Sequence, residues 1–264
     1  MIRLIVNGAG GRMGRRLIAL ATEDAELALA AAFERPDHPE IGNDAGSLAG
    51  VEHVGVPLSA RRDVAADVAV DFSHADSALA MIPWCAERGI AIVVGTTGLG
   101  TEGTRALDAA ARRVPCLQAP NMSLGVNVLL RLVREAAKAL GDAYDVEIVE
   151  AHHNKKKDAP SGTALALGEA AAAGLGRHLG QVAVHGRHGM VGERPPHEIG
   201  FHAVRAGDIV GEHTVIFGGV GERIEVRHVA SSRDTFARGA LRAAKFIASK
   251  PPGRYTMADV LGLG

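Results

Sequence analysis

Ile2-Arg3-Leu4-Ile5-Val6-Asn7-Gly8-Ala9-Gly10-Gly11-Arg12-Met13-Gly14 decides the fold. Ile2 to Val6 is a short, nearly continuous apolar run, the pattern of a parallel strand buried on both faces. A glycine turn follows, and a helical run extends from Arg15 to Ala21. Strand, glycine turn and helix form the context that a dinucleotide-binding loop requires. Glycines let backbone N–H groups approach a pyrophosphate, and a helix start favours its charge. The spacing is Gly8-x-x-Gly11-x-x-Gly14, because methionine stands at position 13. A tight turn without a ligand would use similar residues, so the loop has to be read with what surrounds it.

Moving outward, a second strand from about Glu26 to Phe33 ends at Glu34-Arg35, with Glu34 twenty residues past Gly14. An acidic residue at that place grips the adenine ribose hydroxyls. Arg35 beside it could stack on adenine or meet a 2′-phosphate, so NADH and NADPH both stay open. Asp37 to Gly50 is rich in Gly, Pro and Asp and reads as loop. Asp67–Phe72 is a strand ending in Asp71-Phe72-Ser73-His74. Asp76 to Arg88 is helical, with a kink expected at Pro83 and a stop at Gly89. Ile90–Val94 is a strand followed by Gly95-Thr96-Thr97-Gly98, small residues against which a nicotinamide ring can lie. A helix from Glu102 to Arg113 leads to a strand at Cys116–Ala119, which ends in Pro120-Asn121-Met122-Ser123. Residues past the carboxyl ends of parallel strands face the ligand crevice. Five alternating strand–helix units predict an α/β, Rossmann-type doubly wound parallel sheet.

After Ser123 the pattern changes. Leu124 to Leu140 is one amphipathic helix ended by Gly141. A strand from Tyr144 to Ala151 delivers Glu150-Ala151-His152-His153-Asn154-Lys155-Lys156-Lys157-Asp158-Ala159-Pro160-Ser161-Gly162-Thr163-Ala164. Pro160 holds the preceding residue out of helix, and Ser161 or Thr163 can cap the helix from Ser161 to Ala173. Imidazole, ammonium and helix-start N–H groups thus converge within one loop. They suit a small carboxylate substrate that must also receive a proton. Taken alone, the loop also reads as a solvated basic turn. Strands then dominate: Gln181–His185, Glu198–Val204, Ile209–Phe217 and Arg223–Val229. Their alternation predicts a mixed or antiparallel sheet with one buried face, and the uncovered face predicts a homo-oligomer. A helix from Asp234 to Ser249, stopped by Pro251-Pro252-Gly253, is expected to return to the nucleotide sheet. The domains read as 1–123 plus 234–264 for dinucleotide binding, and an inserted α+β domain, 124–233, for substrate binding and oligomerisation.

Composition narrows the function classes. The 264 residues are 47% hydrophobic and 22% charged, and 29 basic residues nearly balance 30 acidic ones, so nothing asks for nucleic acid or an anionic membrane. Cys85 and Cys116 lack CxxC spacing, sit among apolar residues and read as packed thiols, consistent with a reduced cytoplasmic compartment. No apolar run approaches a membrane span, and a strand begins at once, so no signal peptide is expected. The spacings of His185, His188, His197 and His202 fit no metal-ligand template, and no metal is expected.

Taken together, the motifs resemble the 4-hydroxy-tetrahydrodipicolinate reductase (dihydrodipicolinate reductase) family of lysine biosynthesis. The resemblance rests on GAGGRMG at Gly8 to Gly14, Glu34-Arg35, GTTG at Gly95 to Gly98 and APNMSLGVN at Ala119 to Asn127. It rests further on EAHHNKKKDAPSGTA at Glu150 to Ala164, RAGDIVGEHTVIF at Arg205 to Phe217 and ASSRDTFARGA at Ala230 to Ala240. It implies NADPH- or NADH-dependent reduction of a cyclic dicarboxylate to tetrahydrodipicolinate, on the diaminopimelate route, by a cytoplasmic homotetramer. Carried over, Gly8, Ala9, Gly10, Gly11, Arg12, Met13, Glu34, Arg35, Gly95, Thr96, Thr97, Ala119, Pro120, Asn121 and Met122 would bind cofactor. His152 would be the proton donor, and His153, Gly162 and Thr163 would hold substrate carboxylate. Among the three lysines, Lys156 is taken as the second donor, four residues after His152 and two before Asp158. A dehydrogenase for another amino-dicarboxylate, or a nucleotide-binding regulator without chemistry, would share the architecture.

Overall fold

The computed structural model describes residues 1–263. In chain order the elements are β1 (Ile2–Asn7), α1 (Arg12–Thr22), β2 (Leu27–Phe33), α2 (Ala45–Ala49), β3 (Leu58–Ser59), β4 (Val68–Asp71), α3 (Ala75–Arg88), β5 (Ala91–Val94), α4 (Gly100–Ala110) and β6 (Pro115–Gln118). There follow α5 (Leu124–Leu140), β7 (Asp145–His152), α6 (Gly162–Gly174), α7 (Leu179–Val182), β8 (Ala183–His185), β9 (Ile199–Arg205), β10 (Gly211–Gly218) and β11 (Arg223–Ala230). The chain closes with α8 (Asp234–Ile247), β12 (Gly253–Tyr255) and α9 (Met257–Leu261). They form two compact units, one of Met1–Ser123 with the chain from Asp234 onward, the other Leu124–Arg233. None of the described helices is long and apolar enough to cross a membrane.

The first unit is built on a seven-stranded sheet in the order β12-β6-β5-β4-β1-β2-β3, parallel at every pairing. The chain winds outward from β1 to β3, then restarts on the other side of β1 with β4. This Rossmann-type arrangement puts the switch in strand order between β1 and β4, where ligands collect beyond the carboxyl ends. The apolar runs are apolar because both faces are covered: Leu4, Ile5, Val6, Val68, Val70, Ile92 and Val93 have no exposed surface. Helix α8 packs on β4, β5, β6 and α1. Its ties to the amino-terminal segment include a two-point Arg16–Asp234 pair and Lys245 on Asp24 at 2.8 Å.

Several local readings are corrected. Helix α1 starts at Arg12, because the turn already carries helical geometry after Gly11. The stretch from Asp37 to Gly50 contains α2, capped by Asp44 on Ser47 N–H at 2.9 Å and ended by Gly50 at φ 78°. Helix α3 runs unbroken through Pro83. Beyond Pro251-Pro252, the chain adds β12 at the sheet edge beside β6 and a last helix with a Thr256–Asp259 capping box.

The second unit holds a five-stranded mixed sheet, β11-β10-β7-β9-β8. β10 is antiparallel to β7 and β11, whereas β9 runs parallel to β7 and β8. Helices α5 and α6 pack together over one face, where Leu129, Val133, Leu167 and Ala171 meet Val146, Ile148, Phe201, Val215 and Phe217. Gly168 leaves room for the Phe201 ring, which a side chain there would strike. The alternate residues point the other way, and Val204 and Val229 are exposed there. The segment Gln181–His185 is not one strand: α7 turns first, burying Leu179 beside α6, and only Ala183–His185 pairs with β9.

Candidate active site

In the first unit the strand ends β1, β4 and β5 meet. Gly8 lies at φ 78°, and a Cβ there would come within 2.5 Å of the Phe72 carbonyl oxygen. A Cβ on Gly14 would lie 2.6 Å from Ala9 Cα and closer still to the Gly8 carbonyl, so the helix and the turn touch backbone to backbone. Gly11 caps α1 without a side-chain bond, and no acidic residue occupies the first turn. The N–H groups at that helix start are therefore suited to an anion. This cradle fits a pyrophosphate-bearing cofactor. Glu34 closes it from β2, its carboxylate accepting from Gly10 N–H at 3.1 Å and Arg35 N–H at 3.0 Å. The His38 ring also lies against Gly10, where an added Cβ would be 2.8 Å away. Arg35 is exposed, with Asp37 at 3.5 Å.

Thr96 is turned inward. Its hydroxyl donates to Asp71 and accepts from Ser73 N–H at 2.9 Å. Asp71 has no exposed surface and also receives Asn7 and Ser73; burial pushes its carboxyl above the usual range. Phe72 lies on Gly95, where a Cβ would meet the ring edge at 2.6 Å. Thr97 is exposed, whereas Ala119 and Met122 are buried. Ala119 N–H bonds to Val94 at 3.2 Å, which sets the end of β6 beside that of β5. Gly8, Gly95 and Thr96 thus come together around Phe72 and Asp71, and Gly10 joins Glu34.

In the second unit β7 presents Val146, Ile148, Glu150 and His152 on its buried face. Glu150 is 1% exposed and saturated with donors. Its carboxylate accepts from His152 Nδ1 at 2.6 Å, Ser161 N–H at 3.0 Å and two Arg205 nitrogens at 2.7 and 2.8 Å. Arg205 donates further to the Asp158 carbonyl at 2.7 Å. Because an ionised carboxylate only accepts, the His152 proton shared with Glu150 sits on Nδ1. Gly211 lies against Nε2 of the same ring, where an added Cβ would stand 3.1 Å away. Burial lowers the His152 pKa and Glu150 pulls it back up; lowering wins. Glu150 itself stays below the ordinary carboxyl range, because its donors together outweigh its burial.

Ser161 caps α6, accepting from Ala164 N–H at 3.2 Å, and its hydroxyl meets His213 Nε2 at 3.0 Å. Gly162 and Thr163 are the first residues of that helix. The His213 ring stands edge-on to His152, with centroids 5.2 Å apart, and burial pushes its pKa down to about 4. Lys156 folds back to Asp158 at 2.9 Å and is half-buried, while Lys155 and Lys157 are exposed. His153 keeps a buried Nδ1 with no hydrogen bond. Among the described residues no cluster of three or more His, Cys, Asp or Glu could hold a metal ion.

Sequence reading missed Arg205, His213 and Gly211 as parts of this cluster and gave Glu150 no role. One signal was available: Glu150 and His152 continue the alternation of Val146 and Ile148, which puts both on the buried face.

Two family models match the chain: Dihydrodipicolinate reductase, N-terminus, over residues 2–122, and Dihydrodipicolinate reductase, C-terminus, over residues 125–261. A 4-hydroxy-tetrahydrodipicolinate reductase of Anaeromyxobacter sp. (strain Fw109-5) is 53% identical over 266 residues, covering 100% of this chain and 98% of the relative. That of Alkalilimnicola ehrlichii (strain ATCC BAA-1101 / DSM 17681 / MLHE-1) is 52% identical, covering 99% of each. The solved dipicolinate-bound dihydrodipicolinate reductase of Paenisporosarcina sp. TG-14 has the same fold, with TM-score 0.76 at 22% identity over 98% of both chains.

Proposed function

The chain belongs to the dihydrodipicolinate reductase family, an NAD(P)H-dependent oxidoreductase family of lysine and diaminopimelate biosynthesis, and from that premise we propose how its residues divide the work. The substrate is a cyclic dicarboxylate, 4-hydroxy-tetrahydrodipicolinate, and the product tetrahydrodipicolinate. The nicotinamide cofactor supplies the hydride. Gly8 to Met13 bind its pyrophosphate, Glu34 and Arg35 its adenosine end, and Gly95 to Thr97 with Ala119 to Met122 the nicotinamide side. Glu34 and Arg35 accept both NADH and NADPH.

His152 gives the proton that the reduced ring requires, from Nε2, with Lys156 as a second donor. His153, Gly162 and Thr163 hold a carboxylate at the start of α6, where helix-end N–H groups favour negative charge. The observation that carries this reading is Glu150: one buried carboxylate ties the His152 ring to the capped first turn of α6. An acid and an anion site are thereby held at fixed separation on rigid elements, which is what proton delivery to a carboxylate-bearing ring demands. Copies assemble as a homotetramer through the exposed face of the mixed sheet, in the cytoplasm.

The test is turnover of freshly made precursor with NADH and NADPH. His152→Gln is expected to lower kcat about 100-fold or more, the usual range for a lost general acid, with little change in KM. A rate within threefold of the parent would remove His152 from its role.

A further inference from the structure

The most deeply buried carboxylate of the second unit is one to which neither chemistry nor substrate contact has been given. Glu150 is 1% exposed and receives four donors from three directions: His152 two residues along β7, Arg205 from β9, and Ser161 from the cap of α6. Burying a carboxylate this deeply is costly unless every lone pair is used. Strand register makes the assembly possible. His152 pairs with Arg205 across the parallel β7–β9 ladder, and Glu150 lies opposite His213 across the antiparallel β7–β10 ladder.

We infer that Glu150 is the positioning residue of the proton-donating imidazole, fixing its Nδ1–H tautomer and aiming Nε2 at the substrate, with Arg205 clamping the carboxylate. The inference rests on the reading of His152 as donor. In the step itself the 4-hydroxyl leaves with a ring proton as water, the bound cofactor would supply hydride to the conjugated ring so formed, and the resulting carbanion takes the Nε2 proton. The imidazole is left neutral with Nδ1–H still on Glu150, and water restores the Nε2 proton.

Glutamine cannot replace this group. Its single oxygen serves His152, or Ser161 and Arg205, but not all of them, and its NH2 meets a donor in either orientation. The groups around the His152 ring are Glu150 on β7, Arg205 on β9, His213 on β10, and Lys156, Asp158 and Ser161 in the loop and cap. Glu150 raises the His152 pKa, whereas burial, Lys156 and Arg205 lower it. Removing Glu150 or Arg205 should therefore move it in opposite directions, which loss of packing alone would not do.

The experiment compares Glu150→Gln, Arg205→Met and His152→Gln as cofactor-saturated full-length enzymes. In Glu150→Gln, kcat is expected to fall about 10- to 100-fold with KM within threefold. The limb of kcat that requires the protonated ring should move down by about one pH unit, and in Arg205→Met it should move up. Histidine-selective 15N NMR reads the ring directly. The parent should show neutral His152 protonated at Nδ1, and Glu150→Gln should show the Nε2–H form. An unmoved tautomer and limb in Glu150→Gln, with His152→Gln inactive, would overturn the positioning role alone. Parental turnover in His152→Gln would instead overturn the donor assignment beneath it. If Glu150→Gln does not fold, the upward limb in Arg205→Met carries the test, and an unmoved or lowered limb there overturns the proposal.

Discussion

Gly14→Ala sets two opposed effects against each other, and the structure decides between them. Gly14 is the third residue of α1, where alanine is intrinsically the better helix former by about 1 kcal/mol. On propensity alone the variant would be stabilised. A Cβ at this position, however, would lie 2.6 Å from Ala9 Cα and 2.9 Å from the Ala9 carbonyl carbon. Relief to ordinary carbon contact requires a shift of about 0.8 Å or more. Only backbone is available to move. The turn is pinned by Gly8 and Ala9 N–H bonds to Phe33 at 2.9 and 3.0 Å, and Gly8 is closed in on its other side by the Phe72 carbonyl. Overpacking of this kind costs about 3 kcal/mol at the upper end of its range, leaving a net loss of about 2 kcal/mol. For a chain of this size that is a fall in Tm of about 4–8 °C. The same displacement spoils the alignment of the turn's N–H groups, so NADH and NADPH should each bind at least about tenfold more weakly, or about 1.4 kcal/mol. The assays are thermal unfolding and fluorescence titration of both cofactors. Gly89→Ala is the control: φ is 70° but the space is open, so it should lose stability by about 1 kcal/mol without changing either affinity. A Tm that rises in Gly14→Ala, with affinities within twofold of the parent, would refute the reasoning.

Gly211→Ala places a methyl group 3.1 Å from His152 Nε2 at a strand position that tolerates alanine, so kcat should drop about tenfold or more while Tm holds within about 2 °C. His213 is neutral in the fold with its pKa pushed down to about 4, so it binds its proton more readily when unfolded. Its stabilising contribution is complete above about pH 6.5 and is lost as pH falls toward 4; denaturant unfolding of His213→Gln at pH 7 and 4.5 should show a shallower acid loss than the parent. Glu147 is held down to about 2 despite its burial, by Arg187, Arg194 and His202. Its contribution is present above the ordinary carboxyl range and disappears as pH falls through about 2, so Glu147→Gln should be less stable at pH 7 but flatter in acid.

The parallel half of the molecule was legible because its signals are local. A buried strand, a glycine turn and a helix start stand together in Ile2–Thr22, and each later strand end announces itself with small or polar residues. What escaped was short or distant. Helix α2 has only five residues, too few for periodicity, although Asp44 and Gly50 already mark both of its ends. Strand β12 has three. In the mixed-sheet half the loop from His152 to Ser161 drew attention by its composition, but the groups that organise it come from elsewhere. Arg205 is 53 positions beyond His152 and meets it only through the register of two parallel strands, which no single-strand pattern reveals. Thr96 shows the converse. Its place at a strand end marked it out in the sequence, but that its hydroxyl bonds to Asp71, 25 positions earlier, was not visible there.

The divided first unit also dictates an order of events during synthesis. Helix α8, which covers β4, β5 and β6, is made only after the whole of Leu124–Arg233 has emerged from the ribosome. The segment born first must therefore wait with an apolar sheet face bare, while the continuous mixed-sheet unit is complete earlier. The usual amino-to-carboxyl sequence of maturation is inverted. A nascent chain arrested before residue 234 should consequently expose Val68, Val70, Val93 and their neighbours to chaperones and proteases, and release of residues 234–264 should end that exposure.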